Sequence, residues 1–237
     1  MIIAIGDIHG QWDKFTKLID NLRDAGYDLF KPQHLYVQLG DIVDGGPDSK
    51  KLIDFFKLYD NIQVLKGNHE DMLLDAVIGK SQIYGDFRQW WDQGGKQTAL
   101  SYKSPTSIQE IKSRPYHVFW KEDIEWLKKR PLFMQTKNFI FVHAGLRPNV
   151  ALEDQTTEDM LWIRETFIRS DHDFGKRVVY GHTFTQYPTI HKRNIGIDTM
   201  HFGRGPLTAV ILNDVTGEVM DVITDGEEPH VAYRDWK

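Results

Sequence analysis

Short apolar runs alternate with amphipathic segments along the first third of the chain. Residues 2–5, 35–39 and 62–65 are mostly apolar, and a glycine follows each run within two residues. Runs of this length are typical of strands that are buried on both faces. The segment after the first run has apolar residues at helical spacing, namely Phe15, Leu18, Ile19 and Leu22. The same order of strand, polar loop and helix recurs after the other two runs, which predicts a parallel sheet covered by helices.

The pattern changes between residues 80 and 130, where aromatic and polar residues replace the apolar runs. Within this segment only residues 122–130 clearly predict a helix, and we interpret the segment as a helical cap inserted into a single domain that spans residues 1–237. Apolar runs return at residues 139–142 and 178–180. Near the end of the chain, two further runs flank a turn at residues 214–217, which predicts a terminal hairpin.

Composition narrows the possible chemistry. The 237 residues are 41% hydrophobic and 27% charged, which is typical of a globular protein with a full core. The sequence contains no cysteine, which excludes disulfides, thiolate metal sites, iron–sulfur clusters and a cysteine nucleophile. Any metal ion would therefore have to be bound by oxygen and imidazole ligands.

Net charge and the length of the apolar stretches predict the protein's location and the partners it lacks. The formal net charge is −5 and the basic residues are scattered, so we expect no nucleic-acid partner. No apolar stretch approaches the ~20 residues of a membrane span. An acid stands at position 7 with no basic leader before it. We therefore expect a cytoplasmic protein without a membrane partner.

Polar residues follow five of the predicted strands. They are Asp7 with His9, Asp41 with Asp44, Asn68 with His69, then His143, and finally His182. Each one alone is typical of a helix cap, a turn or a hydrogen-bonded core residue. Loops beyond the carboxyl ends of neighbouring strands converge on one crevice. Because polar residues follow five strands, we expect them to form a shared site. Carboxylates, imidazoles and an amide oxygen suit divalent manganese, iron or zinc.

These residues also carry a family resemblance. The segments concerned are Gly6-Asp7-Ile8-His9-Gly10, Gly40-Asp41-Ile42-Val43-Asp44-Gly45-Gly46, Gly67-Asn68-His69-Glu70, His143-Ala144-Gly145 and Gly181-His182-Thr183. In this order they resemble the motifs of the phosphoprotein phosphatase branch of the calcineurin-like metallophosphoesterases. The resemblance is greatest to bacterial and bacteriophage serine/threonine phosphatases and to symmetrical diadenosine tetraphosphate hydrolases, and it covers residues 2 to about 212.

The resemblance implies an α/β fold with a central two-layer β sandwich flanked by helices. It implies two divalent metal ions, of which manganese is the first expectation, with iron and zinc as alternatives. Asp7 and His9 would bind one ion, Asp41 would bridge, and the second ion would be bound by Asn68, His143 and His182. A hydroxide that bridges the ions would attack phosphorus.

Three further residues have roles implied by the resemblance. His69 would protonate the leaving oxygen while Asp44 holds its ring. Arg164, in a Trp-x-Arg-Glu segment, would bind the phosphoryl oxygens, because a guanidinium donates to phosphate in a bidentate manner. Asn68 and His69 would also contact substrate. The alternative for Arg164 is a surface ion pair with Glu165 or Asp159.

Two positions depart from the pattern of the family. Most relatives have an arginine after the aspartate of the second motif, where this chain has Gly45. The missing contact could weaken substrate binding, pass to Arg147 or Arg204, or fit a different phosphoester. Where glycine is typical, this chain has Met200, which we expect to narrow the mouth of the cleft, and the neighbouring His201 could contact substrate.

The substrate stays open at this stage. We expect a serine/threonine-phosphatase-like phosphomonoesterase that acts on a phosphorylated protein or small phosphoester, with dinucleoside polyphosphate hydrolysis as the alternative. Aromatic residues between positions 90 and 102 could stack a nucleobase, line a peptide groove or form the core of the cap. A non-catalytic metal-binding scaffold is a third possibility, since a fold does not dictate function. The sequence makes no prediction of the oligomeric state.

Overall fold

The computed structural model describes residues 1–31, 33–59, 61–79, 87–102, 118–226 and 232–233. In chain order the strands are β1 (Ile2–Ile5), β2 (Leu35–Gln38), β3 (Ile62–Val64), β4 (Phe133–Gln135), β5 (Phe139–Val142), β6 (Arg177–Tyr180), β7 (Thr189–Ile190), β8 (Asn194–Gly196), β9 (Thr208–Asn213), β10 (Glu218–Thr224) and β11 (Ala232–Tyr233). The α-helices are α1 (Trp12–Asp24), α2 (Ser49–Leu58), α3 (Asn68–Ile78), α4 (Phe87–Trp90), α5 (Lys96–Ser101), α6 (Lys121–Lys128), α7 (Thr157–Trp162) and α8 (Glu165–Ile168). A π-helical turn (Trp91–Gly95) joins α4 to α5, and a 3-10 turn spans Leu152–Asp154.

The strands form two mixed sheets. The first has the order β10-β9-β1-β2-β3, and the second has the order β11-β7-β8-β6-β5-β4. Strands β1, β2 and β3 of the first sheet are parallel, as are β5, β6 and β8 of the second. Strand β9 runs antiparallel to β1 and pairs with β10 in the predicted terminal hairpin.

The two sheets pack face to face between helical layers. Side chains alternate along a strand, so Ile2 and Ala4 of β1 join the apolar cluster between the sheets while Ile3 and Ile5 join the cluster beneath the helices. In β5, Phe139 and Phe141 face the other sheet. Ile140 and Val142 of the same strand lie in a third cluster, with the residues of α7 and α8. The result is the α/β/β/α sandwich that the resemblance implied.

Helix α1 shows how the pattern in the sequence produces this packing. Its buried residues Phe15, Leu18, Ile19 and Leu22 form one stripe that packs on the first sheet. Burying each such side chain contributes about 1.5–3 kcal/mol. In the described residues, no helix has both the length and the apolar composition needed to cross a membrane.

The described part of the predicted cap packs onto the helical side of the first sheet. Trp90, Phe119 and Ile124 are buried in the same apolar cluster as the residues of β1 and α1. Asp123 of α6 is fully buried and accepts a hydrogen bond from Lys57 Nζ of α2 at 2.6 Å and another from the Tyr102 hydroxyl at 3.0 Å. Residues 80–86 and 103–117 of the predicted cap lie outside the described residues.

The apolar pattern of the first three units predicted a parallel sheet, and the parallel pairing of β1, β2 and β3 confirms it. The rest of the two mixed sheets did not follow from the pattern. The pattern did not predict β4, β7 or β8, which contain three, two and three residues. Strands this short contain too few residues to show a period of two. Pattern also cannot specify a strand's partner, so it did not predict the antiparallel pairing of β9 with β1.

Candidate metal centre and active site

The predicted site residues lie at one rim of the sandwich, where the carboxyl ends of β1, β2, β3, β5 and β6 meet. Asp41 is at the centre. It belongs to two groups of buried side chains that could each hold a metal ion, one with His9 and His69 and the other with His143 and His182. Within each group the potential ligand atoms lie within 4.8 Å of one another. The structure therefore brings residues that follow five different strands into two adjoining sites that share one carboxylate.

The group with His143 and His182 also contains Asn68. The Asn68 Oδ1 atom lies 2.7 Å from His143 Nε2 and 2.9 Å from His182 Nδ1. His143 Nε2 is also 3.4 Å from Asp41 Oδ2. On its other side, His143 Nδ1 donates to the Leu39 carbonyl at 2.9 Å. That bond leaves Nε2 with a lone pair directed at the centre, which is the tautomer that a metal ligand needs.

The other group contains His9, and Asp7 lies beside it. The His9 Nδ1 atom donates to the Val43 carbonyl at 3.2 Å, and its Nε2 atom is 3.8 Å from Asp41 Oδ2. Asp7 Oδ2 accepts from the His182 backbone N–H at 3.0 Å. Among the described residues Asp7 Oδ1 has no hydrogen-bond partner, although the side chain is buried. A buried carboxylate oxygen without a donor is costly, and a cation would satisfy it.

The electrostatics of the centre favour cations as well. Burial raises the pKa of Asp7 and of Asp41 well above the usual value, and neighbouring carboxylates raise both further. Burial lowers the pKa of His9 well below its usual value and that of His143 to about 3, so both rings are neutral and can donate a lone pair. The donors present thus fit two divalent metal ions of the hard to borderline class.

The backbone at these positions is strained. His9, Asp41, Asp44 and His182 have left-handed φ angles of 47°, 55°, 68° and 60°. Such conformations each cost of the order of 1 kcal/mol or more and tend to cluster at functional sites. The glycines before two of these residues allow close approach: a Cβ atom on Gly181 would lie 2.1 Å from Asp7 Oδ1, and one on Gly40 would lie 2.6 Å from the Gly67 nitrogen.

His69 and Asp44 form a buried hydrogen-bonded pair beside the centre. His69 Nδ1 lies 2.8 Å from Asp44 Oδ2, so Nε2 is the ring nitrogen left to face a substrate. Burial lowers the pKa of His69 to about 3 and raises that of Asp44. Hydrogen bonds to Asp44 Oδ1 from Thr98 Oγ1 at 2.6 Å and from Trp90 Nε1 at 3.1 Å favour its ionised form. The pair is thus positioned by the cap.

These contacts decide between the roles considered for the cap residues. Trp90 and Thr98 are 1% and 0% exposed, so neither can stack a base or line a groove. The Tyr102 hydroxyl is directed at Asp123, away from the centre. Trp90, the aromatic residue of this stretch that bonds to Asp44, therefore packs in the core of the predicted cap and helps to hold that carboxylate.

Glu70 has a larger part than its position in the sequence indicated. An acid in the first turn of a helix usually acts only on the helix dipole, but Glu70 is fully buried and accepts four backbone hydrogen bonds. Its Oε2 atom accepts from Asp41 N at 2.8 Å and from Gly67 N at 2.7 Å, and its Oε1 atom accepts from Ile42 N at 2.8 Å and from Val43 N at 3.2 Å. Glu70 therefore ties the loop that carries Asp41 to the loop that carries Asn68.

Arg164 lies at the edge of the centre. Its Nη1 atom donates to the His182 carbonyl at 3.3 Å. Burial raises the pKa of the Asp198 carboxyl to about 7, and the charge of Arg164 opposes this rise. The alternative surface pairing is not found, because Glu165 pairs with Arg169 and Asp159 with Arg147. Arg147 makes three hydrogen bonds to Asp159 at 2.5–3.0 Å, so it is already engaged away from the centre.

The two departures from the family pattern have structural counterparts. Gly45 has a φ of +83°, and a Cβ atom there would lie 2.6 Å from Cδ1 of Phe202. Met200 does not line the mouth as we expected; it is 1% exposed and packs in the apolar cluster of the first sheet. The side chain beside Gly45 is Phe202, which the sequence analysis did not single out.

Comparisons with known proteins agree with this geometry. A family model described as calcineurin-like phosphoesterase matches residues 1–212. An asymmetrical bis(5'-nucleosyl)-tetraphosphatase (PrpE) of Geobacillus thermodenitrificans is 27% identical, over 98% of this chain and 97% of that protein. A symmetrical bis(5'-nucleosyl)-tetraphosphatase of Nitrosospira multiformis is 29% identical, and the match covers 64% of this chain but only 46% of that relative. The chain thus spans about half the length of the symmetrical enzyme.

Two solved structures share the fold. A serine/threonine phosphatase of Saccharomyces cerevisiae superposes with a TM-score of 0.56 at 17% identity, covering 99% of this chain and 80% of the other. A cold-active protein-tyrosine phosphatase of a Shewanella species gives a TM-score of 0.59 at 18% identity, covering 88% of this chain and 74% of the other. Identities this low indicate a common fold alone.

Proposed function

This chain belongs to the calcineurin-like phosphoesterase family and is a metal-dependent phosphoester hydrolase, and we propose that it cleaves dinucleoside polyphosphates. The relative that matches nearly the whole chain is an asymmetrical bis(5'-nucleosyl)-tetraphosphatase. The main alternative is a phosphomonoesterase that acts on phosphoserine, phosphothreonine or a small phosphoester. We propose the cytoplasm as the location.

The observation that supports a hydrolase with two metal ions is the sharing of Asp41 between two groups of buried ligands, next to the His69–Asp44 pair. The choice of substrate is supported by the relative that matches nearly the whole chain. In our proposal two divalent ions, manganese first, are held by Asp7, His9, Asp41, Asn68, His143 and His182. When bound, they would polarise the phosphoryl group and lower the pKa of the attacking water.

The remaining residues act on the substrate directly. Arg164 donates to the backbone carbonyl of His182, one of the proposed ligands, and would donate two parallel hydrogen bonds to the phosphoryl oxygens. His69 would take up a proton on Nε2, with the ionised Asp44 stabilising the resulting cation through Nδ1, and would give that proton to the leaving oxygen. Asn68 and His69 follow Gly67 at the start of α3, so both would also face the bound phosphoryl group.

A product analysis tests the proposal. The manganese-loaded protein is incubated with diadenosine tetraphosphate and, separately, with a phosphoserine peptide, and nucleotides and phosphate are separated by chromatography. Formation of ATP with AMP, or of two ADP, supports the proposal, and the His69→Asn variant controls for a contaminating enzyme. Release of phosphate from the peptide alone would favour the phosphomonoesterase, and no product from either substrate would favour a non-catalytic scaffold.

A further inference from the structure

Three aromatic side chains form an exposed surface beside the predicted leaving-group acid. Phe202 lies with its ring centroid 4.7 Å from that of His9 and 5.6 Å from that of His69. His201 is 4.9 Å from Phe202, and Phe184 is 5.8 Å from His201. We call Phe184, His201 and Phe202 the aromatic shelf. It leads from the edge of the metal centre toward solvent.

The two phenylalanine side chains of the shelf are exposed to solvent. Phe184 is 45% exposed and Phe202 is 38% exposed, whereas the polar ligands next to them are almost fully buried. Large apolar side chains grouped at the mouth of a polar site are typical of ligand sites, in which aromatic walls orient a substrate around a few polar groups. A residue whose sole role was to shield His9 would not need further rings that extend outward.

The backbone that carries Phe202 is held in an unfavourable conformation. Phe202 has a φ of +46°, which is an outlier for a bulky residue. It sits in a tight turn closed by two hydrogen bonds between the backbones of His201 and Arg204, at 2.9 and 3.0 Å. Gly203 also has a positive φ, and a Cβ atom there would lie 2.5 Å from Gln11 Nε2. The turn therefore lies close to the Gln11 side chain, just before α1, and strain of the kind seen at Phe202 is typical of functional positions.

Gly45 completes the arrangement. Its nitrogen donates to the Gly94 carbonyl at 3.2 Å on one side, and the Phe202 ring occupies the space that a side chain at position 45 would need on the other. An uncharged ring thus stands where a side chain at position 45 would project. An apolar face at this point favours a planar apolar group of the substrate over a further phosphate.

We propose that the aromatic shelf binds the planar ring of the substrate's leaving group, with Phe202 as the residue that determines specificity. The inference rests on the proposed function, because it places the leaving group on the side of His69. The chemistry of recognition is ring stacking, which both a nucleobase and a phenyl ring can supply. Stacking of a base on an aromatic side chain corresponds to about 5- to 100-fold in affinity.

Steady-state kinetics on matched substrates test the inference. Phosphate release is measured for phenyl phosphate and for cyclohexyl phosphate, which has a ring of similar size without a planar face, and nucleotide release is measured for diadenosine tetraphosphate. For Phe202→Ala and Phe202→Leu we expect KM to rise about tenfold on the planar substrates and clearly less on cyclohexyl phosphate. Phe202→Tyr should keep the wild-type preference. Phe30→Ala, a change at another exposed ring that packs on Tyr59, is the matched control.

The outcomes separate the shelf from the hydrolase. Equal losses on planar and cyclohexyl substrates, or no change in preference, would overturn the shelf while leaving the hydrolase intact. A KM effect limited to phenyl phosphate would identify an aryl leaving group, and one limited to diadenosine tetraphosphate would identify a nucleobase.

A binding measurement covers the case in which nothing is hydrolysed. Calorimetric titration of the manganese-loaded protein with AMP and with inorganic phosphate should show that Phe202→Ala weakens AMP about tenfold and phosphate much less. If AMP binding is weakened in this way but the wild type hydrolyses no substrate, the proposed function is refuted and ring binding by the shelf is supported. Equal affinity of wild type and Phe202→Ala for AMP, with no KM effect on phenyl phosphate, would refute the shelf whether or not the protein is an enzyme.

Discussion

Replacing Glu70 with glutamine tests whether this carboxylate holds the centre together. The two oxygens of Glu70 accept four backbone N–H groups, those of Asp41, Ile42, Val43 and Gly67, at distances of 2.7–3.2 Å. Glutamine keeps one oxygen, so two of these buried N–H groups would face an amide NH₂ group instead of an acceptor. Each buried donor that loses its acceptor costs about 1–3 kcal/mol. With two donors affected, we expect the free energy of unfolding to fall by about 2–6 kcal/mol.

Urea denaturation measures this loss. An unchanged m-value would show that the variant unfolds from a native state of the same compactness. The control is Asp71→Asn, which removes a charge from the same first turn of α3 at a half-buried residue. If these acids act only on the helix dipole, both variants should lose about 0.3–1 kcal/mol. Similar small losses for Glu70→Gln and Asp71→Asn would therefore refute the role that we assign to Glu70.

The same variant should also bind metal more weakly. Glu70 holds the backbone of Asp41, and residues that orient a ligand typically contribute 10- to 100-fold to metal affinity. Titration of manganese into the apoprotein, followed by calorimetry, should show a loss in this range for Glu70→Gln and little change for Asp71→Asn. Wild-type affinity in a destabilised Glu70→Gln variant would mean that the loop around Asp41 is held by other contacts.

Three further predictions concern the centre itself. Asp41→Ala should abolish binding of both ions, because both ligand groups contain Asp41; two ions per chain by elemental analysis would contradict this. His69→Asn should lower turnover of alkyl phosphates about 10²- to 10⁴-fold and of nitrophenyl phosphate much less, since nitrophenolate leaves without a proton, and equal losses would discard the acid role. Thr98→Val removes the 2.6 Å hydrogen bond to Asp44 and should lower kcat more than it raises KM. Thr98→Ser keeps the hydroxyl group and should restore kcat. A Thr98→Val variant with full kcat would exclude a positioning role for Thr98.

Much of the fold follows from local pattern. The first three strands and the helices after them were predicted because apolar runs and helical stripes are long enough to show their periods, as in α1. The sandwich itself came from the family resemblance. Local pattern could not supply it, because the pairing of β9 with β1 joins residues about two hundred positions apart and β7 contains only two residues.

The convergence of the site residues was predictable for a physical reason. Parallel strands end at a common edge, so the polar residues that follow β1, β2 and β3 had to lie near one another. The residues that hold them were not predictable in this way. Thr98 reaches Asp44 across 54 positions and Trp90 does so across 46, and no periodicity connects them. For Glu70 a signal was present, because Gly67 and Glu70 have the spacing of a capping box.

The arrangement explains why these supporting residues matter as much as the ligands. Left-handed backbone at His9, Asp41, Asp44 and His182 opposes folding, and so does the mutual repulsion of buried carboxylates. The apolar clusters on the two faces of each sheet offset both of these costs. The hydrogen bonds of Glu70 and of the cap also stabilise the folded state. Because the strained residues lie in loops whose two ends are fixed by buried strands and helices, their positions are set by the scaffold. The packing of the strands and helices and the hydrogen bonds around the centre therefore determine where its side chains lie.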